Sequence, residues 1–366
     1  MLAQNSTLHP VASSPLPYAN PVVAEQPQAT DSMAQTDILP LQVALNCTAM
    51  TPLFQPFFGA REQEWTVTDA KLLDCKAGKR GLIHYRLAGR EQKDLLLFGK
   101  LFADRQPALH IIRNMRLTQQ AFARTPRLGT PEAVGLLDNM ALLLYKPAPG
   151  KFLDEYLAGP QAVYWLGQTA AWLATLHTQP LALEKCFHLA NELENLQLWT
   201  DVVTSHFRPL AAAASHLYSY LLDTANELTL ETQTVIHKDF HYRHVLIDET
   251  EEPKLSVIDL DEMRLGDPTF DVAHFCVNLQ LLAYRSGWSR QRTALLQQQF
   301  LQAYAQHTGW RHDQRFTFFF VYTCIKVARQ LCLGFGPSPV PQGNQQFAEV
   351  RLILERGLAL LPPNRY

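Results

Sequence analysis

The sequence predicts an α+β protein of two lobes, in which a small antiparallel-sheet lobe precedes a larger, mainly helical lobe. Three observations support this prediction. Short apolar or alternating runs fill residues 65–144, which is typical of strands. Beyond residue 163, apolar side chains recur at three- and four-residue steps, which indicates helices. Between these regions, Pro and Gly crowd residues 147–150, where we expect the hinge.

Residues 1–46 are expected to form a disordered leader. They are rich in Ser, Pro, Gln and Ala, and their few large hydrophobic residues show no sustained period. Such a segment cannot bury enough apolar surface to offset its loss of conformational entropy. We therefore assign the N-terminal lobe to residues 47–148 and the helical C-terminal lobe to residues 149–366.

The N-terminal lobe carries four predicted strands and one helix. The helix is expected at about residues 107–123, among four or five antiparallel strands. The strands with the clearest patterns lie at residues 71–73, 82–87, 95–102 and 140–145.

Composition narrows the function classes. The chain has 366 residues, 47% of them hydrophobic, and a formal net charge of −2. A near-neutral balance gives no broad electrostatic surface for nucleic acid or an anionic membrane, so we expect neither as a partner. The six cysteines are scattered and the first residues lack a secretion-signal pattern, so we expect free thiols and a cytoplasmic protein.

A strand pair interrupts the helical lobe within residues 237–261. The apolar runs 245–247 and 255–260 flank a polar turn, which predicts a β-hairpin. Folding this hairpin brings the residues before its first strand, Asp239 and His244, towards Asp259 and Asp261 after its second. Convergent carboxylates and imidazoles of this kind suit divalent-metal binding and the positioning of a hydroxyl nucleophile.

Three motifs follow one another in this region. They are His-Lys-Asp-Phe-His from His237, Ile-Asp-Leu-Asp from Ile258, and Gly-Asp-Pro-Thr-Phe-Asp from Gly266. In this order they resemble the aminoglycoside phosphotransferase and choline kinase-like family, which shares the protein-kinase architecture. The resemblance extends over about residues 65–340. It implies an ATP-dependent phosphotransferase that acts on a hydroxyl of a small molecule, such as a sugar, an amino sugar or an amino alcohol.

The resemblance also implies roles for the motif residues. Asp239 would orient the attacking hydroxyl and accept its proton, and Asp259 would bind the Mg²⁺ that accompanies ATP. Asp261 would assist the metal or the substrate, although a plain surface role fits it equally well. Asp267 and Asp271 fit structural roles at a helix N-terminus. We expect His237 to brace the loop rather than to react.

Signals for nucleotide binding in the first lobe are weaker. Lys100 stands where a kinase-like fold keeps its phosphate-contacting lysine. Gly78 and Gly81 belong to a segment whose amide groups would cover phosphates, although an ordinary hairpin turn explains them nearly as well. Tyr145 and Lys146 match, by position, the linker whose backbone would meet the adenine. The N-terminal lobe is thereby predicted to be the nucleotide-binding lobe.

The sequence departs from the family pattern at two points. His244 stands where the family has Asn, and Mg²⁺ takes nitrogen ligands reluctantly. His244 would bind metal through water, favour Mn²⁺, or leave one metal ion absent. In addition, residues 110–127 contain no acidic residue to pair with Lys100, so Gln119 or Gln120 would have to replace it.

Two other functions remain open at this point. One is a catalytically impaired pseudokinase that acts as a binding or regulatory protein, which the two departures favour and the retained Asp239 and Asp259 oppose. The other is a protein kinase. It is disfavoured because the Asp-Phe-Gly and Ala-Pro-Glu sequences that bracket an activation loop are missing.

Overall fold

The computed structural model describes residues 35–58, 64–76, 80–89, 94–230, 233–250, 252, 254–334 and 342–362. Its two lobes confirm the predicted fold class, with an antiparallel sheet in the N-terminal region and helices in the C-terminal region. Among the described residues, the strands are β1 (Trp65–Lys76), β2 (Arg80–Gly89), β3 (Leu95–Phe102), β4 (Leu128–Gly129), β5 (Ala133–Leu137), β6 (Leu142–Tyr145), β7 (Lys151–Phe152), β8 (Thr234–Ile236), β9 (Val245–Asp248), β10 (Lys254–Val257) and β11 (Arg264–Gly266).

The helices of the described chain begin before the sheet and dominate after it. They are α1 (Gln35–Ala44), α2 (Cys47–Phe58), α3 (Arg105–Phe122), α4 (Asp154–Leu157), α5 (Ala162–Thr178), α6 (Leu189–His206), α7 (Ala211–Ala225), α8 (Thr269–Arg285), α9 (Arg290–Thr308), α10 (Gln314–Cys332) and α11 (Gly343–Leu358). Among them, none combines the length and the hydropathy that crossing a lipid bilayer requires.

The N-terminal sheet has the antiparallel order β1-β2-β3-β6-β5. Strand β3 alternates, because Leu97, Gly99 and Leu101 are buried while Phe98 and Lys100 are only partly covered. The buried face packs against α1 and α2 in a separate hydrophobic core. The other face, which carries Lys100, is thus left to meet the C-terminal lobe.

The ordered chain begins earlier than predicted. Helix α1 lies inside the segment that we expected to be a disordered leader. Its last residue, Ala44, is fully buried and accepts a hydrogen bond of 2.8 Å from the Tyr85 hydroxyl. Apolar contact with the sheet stabilises α1, and local composition does not reveal such contact. The rest of the leader prediction, residues 1–34, lies outside the described residues.

The predicted β-hairpin is confirmed. Strands β9 and β10 pair antiparallel from Val245–Val257 to Asp248–Lys254. Two short strands extend this pair into a sheet of order β4-β10-β9-β7. The chain reaches β7 through Gly150, whose φ of +110° and closeness to the Ile247 carbonyl leave no room for a side chain. The hairpin is therefore fixed from both sides, and so are the residues at its ends.

Candidate active site

The loop that carries Asp239 is anchored through its backbone. The amides of His237 and Lys238 donate hydrogen bonds of 2.6 and 2.8 Å to the two carboxylate oxygens of Asp271 in the first turn of α8. His177 Nε2 is 3.1 Å from the same carboxylate. Burial by itself raises the pKa of Asp271, but these hydrogen bonds outweigh burial, and the pKa lies below its ordinary value. Asp271 thus holds the loop, in keeping with its predicted structural role.

His237 braces the loop from within, as the sequence predicts. Its Nδ1 accepts a hydrogen bond of 3.3 Å from the Asp239 amide, and its Nε2 is 3.1 Å from the Ile258 carbonyl oxygen. The side chain is fully buried, and burial lowers its pKa, so the ring is neutral. His237 therefore ties the Asp239 loop to the strand end that precedes Asp259.

Lys238 adopts an unusual backbone conformation beside Asp239. Its φ of +66° lies in the left-handed region, which costs a non-glycine residue roughly 1–3 kcal/mol. Its Nζ is 2.5 Å from Glu192 Oε1 on α6, and the other oxygen of Glu192 accepts a hydrogen bond from the Tyr322 hydroxyl on α10. This buried ion pair joins the loop to the helices that flank it.

Asp239 has one oxygen held and one oxygen open. Lys326 Nζ lies 3.1 Å and His274 Nε2 lies 3.2 Å from Oδ1. Oδ2 is 3.9 Å from His241 Nε2 and 4.0 Å from His244 Nδ1, beyond hydrogen-bonding distance. Burial alone would raise the pKa of Asp239, yet the charge of Lys326 and the hydrogen bond from His274 hold it well below its ordinary value. Oδ2 is thus an ionised acceptor available to a hydroxyl group.

His274 takes part in this arrangement as a neutral ring. Burial, with the charge of Lys326, lowers its pKa to about 4. Its Nε2–H therefore donates to Asp239, and its other ring nitrogen has no hydrogen-bond partner in the described chain. His274 orients Asp239 Oδ1 without adding a proton to it.

Lys100 and Arg80 reach the second pair of carboxylates from the N-terminal lobe. Lys100 Nζ is 2.9 Å from Asp259 Oδ1 and 2.7 Å from Asp261 Oδ1. Arg80 Nη1 is 2.8 Å from Asp261 Oδ2. Burial by itself would raise the pKa of Asp259, but the charge of Lys100 and its hydrogen bond hold that pKa well below its ordinary value. Burial and the neighbouring Asp259 raise the pKa of Asp261, even though Lys100 opposes them.

Asp261 supplies the carboxylate that residues 110–127 lack. It pairs with Lys100 directly, which is a more definite role than the two that the sequence left open. Gln119, one of the expected substitutes, instead donates a hydrogen bond of 3.0 Å to the Pro131 carbonyl oxygen. A carboxylate from the hairpin therefore fixes Lys100, and the helix that follows the lysine does not.

His244 presents a free nitrogen to Asp259. Its Nδ1 is 2.7 Å from the Asp239 carbonyl oxygen and must donate to it, because a carbonyl only accepts. Its other ring nitrogen, Nε2, lies 3.7 Å from Asp259 Oδ2, and in a neutral ring this nitrogen carries the lone pair that a metal ion would take. A backbone carbonyl that fixes one ring nitrogen is the usual support of a metal-binding histidine. His244 and Asp259 thus fit a divalent cation, and the nitrogen suits Mn²⁺ better than Mg²⁺.

Asp239, His241 and His244 also approach one another, with potential ligand atoms within 4.8 Å. His241 Nδ1, however, accepts a hydrogen bond of 3.1 Å from the Arg243 amide. Burial lowers the pKa of His241 well below its ordinary value, so the single proton of its ring lies on Nε2 and faces Asp239. Of these three residues, His244 alone turns a free ring nitrogen towards a carboxylate.

The open face of the N-terminal sheet carries aromatic rings near Lys100. Tyr145 lies at the end of β6, with its ring centroid 5.7 Å from that of Phe98, and Phe98 is equally far from His84. Lys146 points elsewhere, since its Nζ is 2.9 Å from Glu132 in an exposed pair. The rings of Tyr145 and Phe98 are thus better placed than the Lys146 side chain to meet a flat base.

Of the two glycines predicted to cover phosphates, Gly81 lies inside β2, paired with Cys75 on one side and Leu101 on the other. Gly78 lies outside the described residues. From this segment, the Arg80 side chain makes the contact with the site.

Sequence reasoning missed Lys326, His274 and Arg80. Lys326 has a visible signal, because it is the one charge in the apolar run of residues 316–328. A charge inside a buried helical face is rare unless it is paired or functional. His274 and Arg80 stand next to motifs that were recognised, but no local pattern shows that they reach a carboxylate.

Fold and site together fit a phosphotransferase: a lysine on an open sheet face, a loop aspartate with one free oxygen, and a second aspartate beside the Nε2 of His244. A model of the phosphotransferase enzyme family matches residues 100–315, more than half of the chain. The chain therefore belongs to that family, and its predicted class, a phosphotransferase, is confirmed. No curated protein matches the chain in sequence.

Solved structures share the fold at low sequence identity. An amicoumacin kinase, determined with AMP-PNP and Ca²⁺, has a TM-score of 0.57 at 14% identity and covers 90% of this chain and 94% of its own. A spectinomycin phosphotransferase, determined with ADP and spectinomycin, has a TM-score of 0.55 at 13% identity, with coverages of 80% and 93%. A choline kinase from Streptococcus pneumoniae gives 0.54 at 13% identity, with coverages of 88% and 98%.

Proposed function

We propose that this chain is an ATP-dependent phosphotransferase that acts on a hydroxyl of a small molecule, such as a sugar, an amino sugar, an amino alcohol or a related metabolite. One observation carries the proposal. His244 joins the two aspartates, because one ring nitrogen bonds the Asp239 backbone and the other faces the Asp259 carboxylate. The residue that would orient the hydroxyl and the residue that would bind metal are thus held at a fixed separation.

The nucleotide would lie between the lobes. Lys100 would contact its phosphates, the rings of Tyr145 and Phe98 would meet the adenine, and Asp259 with His244 would bind Mg²⁺ or Mn²⁺. When bound, the metal neutralises phosphate charge. The presence of AMP-PNP in the amicoumacin kinase structure and of ADP in the spectinomycin phosphotransferase structure supports a nucleotide site in this fold. Gly78, Gly81 and Lys146 remain predicted contacts without a supporting distance, and Asp261 is proposed as the partner of Lys100.

Asp239 would act mainly by orientation. Its Oδ2 would accept a hydrogen bond from the substrate hydroxyl, whose oxygen forms a bond to the γ-phosphorus as the bond to ADP breaks. The depressed pKa makes Asp239 a weak base, which suits a loose transition state in which the proton leaves late. The proton would pass to Oδ2, while Lys326 and His274 keep Oδ1 in place.

The pseudokinase alternative retains one favourable observation. Lys100 is bonded to Asp259 and to Asp261, so the cation and the carboxylates that would bind ATP and metal neutralise one another. A protein that only binds partners could keep this cluster as a lock between its lobes. In an active kinase, nucleotide and metal must replace these bonds.

We also propose that the protein works in the cytoplasm, without nucleic acid or membrane as a partner. All six cysteines are free, and three of them are buried, which suits a reducing compartment.

Thermal unfolding with ATP tests the nucleotide site. A ligand that binds only the native state raises the unfolding midpoint once its concentration exceeds Kd. ATP with Mn²⁺ or Mg²⁺ should raise the midpoint of the wild type and leave that of Asp259→Ala unchanged. A metal-dependent shift that survives in Asp259→Ala, or no shift with either metal, would contradict the proposal, and the second result would favour the pseudokinase.

A further inference from the structure

A partly exposed strip of α10 leads away from Asp239. It consists of Lys326, Arg329, Gln330 and Leu333, which share one face because their spacing is i, i+3, i+4 and i+7. The residues between them are at most 5% exposed, namely Val327, Ala328, Leu331 and Cys332. Since Lys326 Nζ lies 3.1 Å from Asp239 Oδ1, this α10 strip begins at the carboxylate.

Arg329 is the second cation of the α10 strip, about one helical turn or ~4.5 Å along the axis from Lys326. Its Nε is buried and has no hydrogen-bond partner, and its guanidinium forms no ion pair with any residue of the described ranges. An unpaired buried donor is costly, although Arg329 as a whole is partly exposed and water can reach the rest of its guanidinium. Arg329 is therefore an unpaired cation among the described residues, and an anion from outside the described chain would give it a partner.

The carboxylates around the catalytic loop are already matched. The pairs are Glu192 with Lys238, Glu262 with Arg264, and Asp239 with Lys326. Arg329 takes part in none of these pairs, and no ion pair joins it to any other described residue. A cationic acceptor that approached Asp239 along the α10 strip would meet the positive charge of Arg329, whereas an anionic one would neutralise it.

We infer that the acceptor carries an anionic group, a carboxylate or a phosphate, which binds Arg329 while the acceptor hydroxyl lies at Asp239 Oδ2. The inference rests on the proposed function, because it concerns the acceptor of that transfer. It names the substrate class as hydroxy acids, sugar acids or phosphorylated polyols, with the anion a few carbon atoms from the reacting hydroxyl. Lys326, whose Nζ contacts the Lys238 carbonyl oxygen and Asp239 Oδ1, lies one helical turn before Arg329 on the same face.

Matched acceptors that differ in charge test the inference. One set is glycerol, D-glycerate, glycerol 3-phosphate and ethanolamine; the other is glucose, glucuronate, glucose 6-phosphate and glucosamine. Transfer from γ-labelled ATP is measured with each, in parallel with acceptor binding by saturation-transfer NMR. The wild type should use and bind an anionic member best in at least one set, and the carboxylate and phosphate members show which anion it prefers.

Three variants of Arg329 sharpen the test. Arg329→Gln should lower kcat/KM for the preferred anionic acceptor about 10- to 100-fold and bring it near the neutral member. Arg329→Lys should retain part of the preference, and Arg329→Glu should turn it towards the cationic member, a gain that misfolding cannot produce. Arg351→Gln removes an exposed charge from α11 and should change none of these values.

The outcomes separate this inference from the proposed function. Preferred use or binding of a neutral or cationic member by the wild type overturns the inference, as does an anionic preference that persists in Arg329→Gln. Absence of transfer together with absence of metal-dependent ATP binding overturns the proposed function. In that case the NMR binding series alone tests the inference. If the wild type then fails to bind an anionic member selectively, the inference is contradicted.

Discussion

Asp239 and Asp259 stand at the two ends of one hairpin unit, yet different parts of the molecule hold them. The partners of Asp239 all come from the C-terminal lobe, where Lys326 and His274 fix one oxygen. The partners of Asp259 include Lys100 from the N-terminal lobe. The first site is therefore complete within one lobe, whereas the second depends on how the lobes meet. Under the proposed function, the acceptor site would need no rearrangement, whereas Lys100 would have to exchange its carboxylate partners for the phosphates of the nucleotide.

The largest expected effect comes from Asp239→Asn. The amide keeps the size of the side chain but loses the charge that orients the hydroxyl, so transfer should fall by about 10²- to 10⁴-fold. Metal-dependent ATP binding should persist, because Asp259 and Lys100 are untouched. Initial rates and thermal shifts of the variant and of Asp201→Asn, an exposed control on α6, provide the measurement. Full turnover in Asp239→Asn would remove Asp239 from the mechanism.

Replacement of Lys100 tests the site that spans the lobes. Lys100→Met should lower kcat/KM for ATP about 10²-fold. It should also destabilise the fold by about 2 kcal/mol, a low value for a buried pair because Asp259 is partly exposed. Lys71→Met, an exposed substitution on β1, is the matched control.

The pH dependence of stability should change sign in Lys100→Met. In the wild type, the folded-state pKa of Asp259 is depressed, so its contribution is present above the unfolded pKa and is lost as pH falls towards the folded pKa. Without Lys100, burial and repulsion should raise the pKa of Asp259 and Asp261 above the unfolded value. Their contribution is then lost as pH rises. The difference in unfolding midpoint between the wild type and Lys100→Met should therefore be smaller at pH 5 than at pH 8. The same difference at both pH values would contradict this account.

A smaller loss of activity is expected from a change at the Asp239 site, which lies entirely within the C-terminal lobe. Lys326→Met should lower kcat about 10- to 100-fold and raise the pKa of Asp239, because Lys326 is the main charge that lowers it. The acid limb of the kcat–pH profile should consequently move to higher pH. Lys326→Arg keeps the charge and should restore the limb. A limb that does not move in Lys326→Met would assign Lys326 to packing alone.

The smallest effect concerns the choice of metal. His244→Asn replaces the nitrogen that faces Asp259 with an oxygen, the harder ligand. Mg²⁺-dependent activity should be preserved or raised, and the ratio of Mg²⁺ to Mn²⁺ activity should increase about 10-fold. Titration of both metals at saturating ATP measures the ratio. A large loss with both metals would show that the Nδ1 bond to the Asp239 carbonyl is the more important function of His244.

The sequence revealed the local parts of the site better than its long-range parts. The motifs at 237–271 identify Asp239 and Asp259, because a hairpin must bring its own ends together. Lys100 and Asp261 are 161 residues apart and Lys326 and Asp239 are 87 apart, and no periodicity encodes such pairs. Residues 110–127 contain no acid, and the carboxylate beside Lys100 comes instead from Asp261, far along the chain.

The same reason limits the prediction of the fold. Strands β2 and β3 alternate clearly and were located within a few residues. Strand β4 has two residues and exists because it pairs with β10, and helix α1 contains Pro40 and owes its place to contact with the sheet. A strand or helix that is stabilised mainly by contacts with neighbouring elements leaves little signal in the local composition or in the hydrophobic periodicity of the sequence.

Strand β4 has a mechanical consequence. The chain leaves the N-terminal lobe after α3, pairs Leu128 and Gly129 with the hairpin strand β10, and then returns to build β5. Trp172 clamps this crossing by a hydrogen bond of 2.8 Å to the Gly129 carbonyl oxygen. With the second crossing at residues 146–150, the lobes are joined at two separate points. Sliding of one lobe past the other would break the hydrogen bonds between β4 and β10. We therefore expect the lobes to separate by a hinge rotation about the line through both crossings.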